Sequence, residues 1–231
     1  MKTMKIIMRK YLVAVGVCIL LSGVSLTADA KDTAGKLRIE PSLFIGGGST
    51  NVDVGKTTSG DTVSISGGGG AGAGITLGYG IAPKLDIDFT LGFERSQLSP
   101  PVDNATGSFS RSFFLATLLY RIPIRERFDI KVGAGAGFYK PGELDIDAAG
   151  VTNGFHDVIK YKNASGAHAL VDFEIFVAQD ISVTFGLKYY AVTYKESSAT
   201  RNGAPGFVSG GKVENFDGSG FDLSASLAKY F

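Results

Sequence analysis

The sequence predicts an all-β protein, an eight-stranded antiparallel up-and-down transmembrane β-barrel over residues 31–231, preceded by a signal peptide at 1–30. Three observations predict it. Apolar and polar residues alternate with period two in seven segments of about ten residues, the length a tilted membrane strand needs. The connections between segments alternate strictly between short and long. The first thirty residues have the layout of an export signal.

The signal comes first in the chain. Lys2, Lys5, Arg9 and Lys10 form a positive region, "YLVAVGVCILLSGVSL" (11–26) is apolar, and "ADA" (28–30) is a small-x-small cleavage site. The apolar run is short for a membrane-spanning helix of ~20 residues. Cys18, the only cysteine, sits inside that run between Val17 and "ILL", so the mature chain is expected to have no disulfide and no thiol chemistry. Export also changes the charge. Loss of four cations from 23 leaves 19, and loss of Asp29 from 22 acidic residues leaves 21. A slightly acidic mature chain gives no support to nucleic-acid binding.

The strands come next, in chain order. "KLRIEPSLFIG" (36–46) sets Leu37, Ile39, Leu43 and Ile45 against Arg38, Glu40 and Ser42. "AGAGITLGYGI" (71–81) sets Ala73, Ile75, Leu77, Tyr79 and Ile81 against a face made mostly of glycine. "KLDIDFTLGFER" (84–95) sets Ile87, Phe89, Leu91 and Phe93 against Asp86, Asp88, Thr90 and Glu94. "SFSRSFFLATLLYRI" (108–122) is apolar on both faces, so alternation does not fix its phase; placing Phe114, Ala116, Leu118, Tyr120 and Ile122 outside turns Arg111 and Arg121 inward. "RFDIKVGAGAGFY" (127–139) sets Phe128, Ile130 and Val132 against Asp129, Lys131 and three glycines. "AHALVDFEIFV" (167–177) sets Val171, Phe173 and Ile175 against His168, Asp172 and Glu174. "ISVTFGLKYYAVTY" (181–194) sets Phe185, Leu187 and Tyr189 against Thr184, Gly186 and Lys188. In "GSGFDLSASLAKYF" (218–231), Phe221, Leu223, Ala225 and Leu227 oppose Asp222, Ser224 and Ser226.

Only "APK", "PIRER" and "AQD" join strands two to three, four to five and six to seven, whereas the other connections, roughly 48–70, 96–108, 140–166 and 196–218, are long and polar. A soluble sandwich has no reason to sort its loops this way. An outer-membrane barrel does, with short periplasmic turns, long external loops and both termini periplasmic. Phe231 then belongs in the aromatic belt at the periplasmic rim, and strand eight closes the sheet against strand one.

With these features the mature chain resembles the small outer-membrane β-barrel proteins of Gram-negative bacteria, the OmpA-like, OmpX-like and porin-family barrels; "LGYGIAPKLDIDFTLGFE" (77–94) is similar to their second-to-third-strand hairpin. The resemblance implies a bacterial outer-membrane location among phospholipid and lipopolysaccharide, a monomer, and recognition of the C-terminal strand by the barrel assembly machinery through Leu223, Leu227 and Phe231. Lys229 departs from the pattern, which has an apolar or aromatic residue third from the end.

Candidate chemistry is sparse. Gly67, Gly69 and Gly72 spell G-x-G-x-x-G, but they open onto a strand and not the helix a dinucleotide site needs. The inward charges are more informative. Arg38, Lys131 and Lys188 are expected to meet Glu40, Asp86, Asp88, Asp129, Asp172, Glu174 and Asp222 in a network that plugs the lumen, because eight strands enclose just enough space for side chains. The alternative is a narrow, acid-biased channel for small solutes. A lipid A-modifying enzyme is a third reading, since some small barrels carry a Ser/His/acid group; His168 lacks the His-x-Ser context, and His156-Asp157 with Ser165 sits in a polar loop, so catalysis is not expected. No metal-ligand spacing and no cofactor motif stands out, and "NAT" (104–106) and "NAS" (163–165) read as loop polarity. Any extracellular ligand is expected at the first and third long loops, where "DTVSISG" (61–67) and "LDIDAAG…HDVIKYK" (144–162) suggest hairpins that extend beyond the bilayer.

Overall fold

A computed structural model describes residues 32–148, 154–205 and 215–231. The export signal at 1–30 lies outside the described residues. Eight strands form the barrel: β1 (Leu37–Gly48), β2 (Gly69–Ala82), β3 (Leu85–Gln97), β4 (Thr106–Arg125), β5 (Phe128–Asp147), β6 (Ala164–Phe176), β7 (Ile181–Ala191) and β8 (Gly220–Tyr230). Each is antiparallel to its neighbours in sequence, and β8 pairs with β1, as in Leu43 opposite Ala225, so no edge remains.

The register gives the barrel its tilt. From Leu43, the cross-strand partners through β2, β3 and β4 are Ala73, Phe93 and Ser112, ending at Lys140 on β5. The other way round, through Ala225, Phe185 and Phe173, the trace ends at Ile130 on β5. The two ends differ by ten residues, Lys140 against Ile130, which is the stagger that closes eight strands at a tilt of ~35–45°.

The outward positions form an apolar band. Leu43, Ile75, Leu91, Leu118, Phe138, Phe185 and Leu223 are all well exposed to the surroundings, and Tyr79, Tyr120 and Phe231 mark the periplasmic end. So continuous an apolar belt is a surface for lipid, not water. β4 adopts the phase that buries Arg111 and Arg121 and presents Phe114, Leu118 and Tyr120 outward. Leu223, Leu227 and Phe231 also face outward, and Lys229, on the same face, forms an ion pair with Asp180 in the β6–β7 turn. That pair neutralises the one charge in the outward C-terminal pattern.

The glycines of β2 and β5 face the lumen and admit larger neighbours. A Cβ on Gly72 would run into the Phe44 ring, and one on Gly135 would lie 2.9 Å from the His168 ring. Bulky groups on β1 and β6 therefore use space that β2 and β5 leave empty.

Above the bilayer the strands continue. β4 and β5 have 20 residues each, about twice the ~10 needed to cross. The first long connection folds into a hairpin of Asn51–Lys56 against Thr62–Ser66. In the third, His156–Tyr161 pairs with the upper end of β5 and with Thr193–Arg201 from the fourth. The third and fourth connections thus share one raised sheet, which Asn215–Asp217 joins by pairing with Thr193–Lys195. The tip of the third connection, at 149–153, is outside the described residues.

Candidate functional site

Alternation turns every second side chain of all eight strands into the lumen, so the site is the lumen itself. Its periplasmic half is ionic. Arg38 lies with Nε 2.9 Å from Glu40, Nη1 3.4 Å from Asp86 and Nη2 2.5 Å from Asp88. Arg121 donates from Nε to Asp86 at 2.7 Å, and its Nη1 is 3.1 Å from Asp129 and 2.5 Å from Glu174. Lys131 Nζ sits 3.7 Å from Glu174 and 3.9 Å from Asp172. The Tyr230 hydroxyl links the two guanidinium groups: it accepts from Arg121 at 2.6 Å and from Arg38 at 3.3 Å, and donates to Glu174 at 2.6 Å. Ser182 donates to the same Glu174 oxygen at 2.6 Å, and Ser226 donates to Glu40. From below, Thr33 donates to Asp86 at 3.3 Å, held there by the bond from Gly35 N–H to the Gly80 carbonyl.

Here six carboxylates meet three cations. The acid excess borders a cavity of about 70 Å³ at mid-lumen, lined by Glu40, Asp88 and Asp172 with the hydroxyls of Thr76, Thr90 and Thr184. A polar cavity of that size can hold several waters at ~10–15 Å³ each. Asp88 Oδ1 and Thr184 Oγ1, both buried, lack a protein partner. Water there would satisfy them and relieve the cost of gathering like charges out of bulk solvent.

Above the cavity lies a second, separate ionic group. Arg111 donates to Glu94 from Nε at 2.7 Å and to the Gly218 carbonyl at 2.8 Å, and Lys188 Nζ lies 3.0 Å from Asp222. Aromatic rings surround these cations: Arg111 Cζ is 4.2 Å from the Tyr190 ring centre, and Lys188 Nζ is 4.8 Å from that of Phe113. The expected charges therefore do not make one network. Arg38, Glu40, Asp86, Asp88, Asp129, Lys131, Asp172 and Glu174 gather below the cavity or on its floor, while Lys188 and Asp222 pair above.

Higher still the lumen becomes an aromatic core. Phe109 meets Phe216 edge-on with centroids 5.0 Å apart, and Tyr161 stacks on Phe216 at 5.1 Å. Tyr139, Tyr190, Tyr194, Ile65, Leu144 and Ile159 pack in the same cluster. Sequence reasoning misses this cap because its rings come from separate places: Phe109 and Phe113 from a strand that is apolar on both faces, Tyr161 and Phe216 from polar connections. It also misses Tyr230 as a hub, although continuing the alternation of β8 past Ser226 places it inward.

The histidines are divided between wall and rim. His168 is buried, and its Nε2 meets the Thr117 hydroxyl at 2.8 Å while Nδ1 has no partner. Among the described residues no carboxylate is bonded to it. His156 is exposed, with Nε2 2.9 Å from Asp145.

The family model described as "Outer membrane protein beta-barrel domain" matches residues 16–227. Among solved structures, the outer membrane protein OprG from Pseudomonas aeruginosa aligns with a TM-score of 0.61 at 14% identity, over 86% of this chain and 97% of that one. Neisserial surface protein A aligns at 0.48 and 14% identity over 85% and 96% of the two chains. The attachment invasion locus protein Ail of Yersinia pestis aligns at 0.48 and 9% identity over 86% and 99%. No curated protein sequence matches significantly. At these identities the likeness to OprG is one of fold.

Proposed function

The chain belongs to the outer membrane protein β-barrel domain family, and on that premise we propose that it is a closed outer-membrane barrel with a structural and surface-interaction role and not a pore or an enzyme. The observation that carries this is the filling of the lumen. The Arg38–Arg121–Tyr230 ion cluster occupies the periplasmic half and the Phe109–Tyr194–Phe216 core the outer half, with a cavity of about 70 Å³ between them. Moving either plug means separating buried ion pairs or unpacking aromatic rings. Interaction is then left to the raised sheet of the third and fourth connections and to the first-loop hairpin, which stand on a rigid scaffold above the bilayer. The test is conductance of the refolded barrel in planar bilayers. Silence is expected; sustained single-channel steps would overturn the closed-barrel reading and favour a narrow channel through the Glu40–Asp88–Lys188 cavity. Unchanged lipid A mass spectra from expressing cells are expected as well.

A further inference from the structure

The outer wall of β3, β4 and β5 differs from the rest of the barrel at the upper edge of the apolar band. On β3 the first outward residue above Phe93 is Arg95, and on β5 the first above Phe138 is Lys140. Between them β4 presents the small residues Ser110 and Ser112. At the corresponding outward positions of β6, β7, β8 and β1, one outward step above Ala167, Tyr189, Phe221 and Ile45, stand Ser165, Ala191, Ser219 and Gly47, none of them charged.

The two cations are at one height. The register climbs ten residues in eight strands, hence roughly two and a half between β3 and β5, and Lys140 shares a row with Phe93. Arg95 lies two residues above Phe93 on its own strand, so tilt raises Lys140 to about Arg95's level. Two strand spacings and one two-residue step put their Cα atoms ~12 Å apart, within reach of two long side chains converging on one anion. Among the described residues neither forms an ion pair. Arg95 donates to the Ser108 hydroxyl at 3.1 Å, and among the described residues Lys140 has no carboxylate partner.

Two depressions meet at this pair. Below it is an apolar groove of about 640 Å³, walled by Ile75, Leu91, Phe93, Phe114 and Phe138 and ending at Lys140. Above it, under the second connection, is a cleft of about 360 Å³ in which Arg95, Gln97, Ser108 and Asp145 stand beside the apolar Leu98, Pro101 and Val102. Asp145 accepts from His156 on Oδ1, which leaves its second oxygen to accept at the cleft's upper edge. From membrane to exterior the wall therefore offers hydrocarbon, then two cations, then hydrogen-bonding groups.

We propose that this wall is a binding site for one phosphorylated glycolipid of the outer leaflet. Its acyl chain lies in the Phe93–Phe114–Phe138 groove, its phosphate lies between Arg95 and Lys140, and its sugar hydroxyls meet Gln97, Ser108 and Asp145. The order of chemistry favours this occupant: a simple hydrocarbon would use neither the cations nor the cleft, and a glycerophospholipid would leave the cleft's acceptors without sugar hydroxyls. The site depends on the long loops facing outward and is independent of whether the lumen conducts.

Native mass spectrometry of the full mature barrel, refolded in detergent, tests it with three probes: bis-phosphorylated lipid A, the same lipid without phosphates, and phosphatidylglycerol. One phosphorylated lipid A per barrel is expected to be retained, at least about tenfold more tightly than either comparison lipid. The double variant Arg95→Gln/Lys140→Gln should lose that advantage, and Ser112→Phe, which fills the notch without changing charge, should weaken retention of both lipid A forms. Equal retention of all three lipids by the unaltered chain overturns the proposal even if a variant fails to fold. So does retention of lipid A that neither variant changes. Phosphatidylglycerol retained as tightly as lipid A would mark the wall as a site for anionic lipid in general and equally refutes the glycolipid assignment.

Discussion

Arg121 is fully buried and faces Asp86, Asp129 and Glu174 at once. Taking away one member of a buried ionic cluster leaves its partners charged and desolvated, which is worse than never having built it. Arg121→Met is therefore expected to lower the unfolding free energy by ~3–5 kcal/mol. Tyr230→Phe removes only the bridging hydroxyl and should cost ~1–3 kcal/mol, the penalty for a buried group left without its partner. Urea titration of the barrel refolded in lipid vesicles measures both. Equal, negligible losses would mean the cluster is solvated and does not hold the periplasmic half together.

Each strand of the barrel presents one face to lipid and one to packed polar groups, and neighbouring positions should respond differently. Leu77, midway along the outward row of β2, stands opposite Phe89 of β3, whereas Thr76 points inward and shares a hydrogen bond with Thr90 at 2.8 Å. Leu77→Arg should destabilise by ~2–4 kcal/mol, because a cation near the bilayer midplane finds no water. Thr76→Ser keeps the hydroxyl and should cost less. Unfolding in vesicles of each variant decides it, and equal penalties would contradict the phase of β2. The phase of β4 was beyond sequence reasoning alone, since Phe113, Leu115 and Leu119 make its inner face as apolar as its outer one. Those three side chains fill space over the inward glycines of β3 and β5, with Gly92 facing the Phe113 ring and Gly137 facing Leu115. Such complementarity is written in the glycines of the neighbouring strands and leaves no mark on β4 itself.

At the scale of the molecule, the barrel is expected to fold without the tips of its raised loops. The membrane part is closed by β8 on β1, while the hairpin of the first connection forms a two-stranded sheet of its own. Shortening the first hairpin at Thr57–Asp61 and the third connection at 149–153 should preserve the heat-dependent gel shift of a folded barrel. The same deletions should abolish any adhesion of expressing cells; adhesion that survives both would move recognition to the fourth connection or the wall. Export is expected to remove residues 1–30, with Lys31 at the mature N-terminus by mass spectrometry. A mature chain that retains "VCILL" would refute this. Cleavage there leaves intact the segment from Thr33 to Gly35 that caps the lumen through Asp86 and Gly80.

Period-two patterning and loop lengths by themselves determined that residues 36–231 form an eight-stranded barrel, and which face of seven strands meets lipid. Both are local properties: alternation is set by the pleat, and a short turn forces antiparallel neighbours. The identity of the ion partners was only half legible. That Asp86 and Glu174 point inward follows from their own strands, but that both meet Arg121 depends on the ten-residue stagger, which no strand carries alone. Tertiary structure also decided that Lys188 and Asp222 stand apart from the lower cluster, because Phe44, Leu115 and the mid-lumen cavity lie at the level between. It decided that Arg95 and Lys140, 45 residues apart in the chain, share one height on one wall. In a tilted, closed sheet, position around the barrel and position along the strand are coupled through the stagger, and that coupling exists only once the barrel has closed.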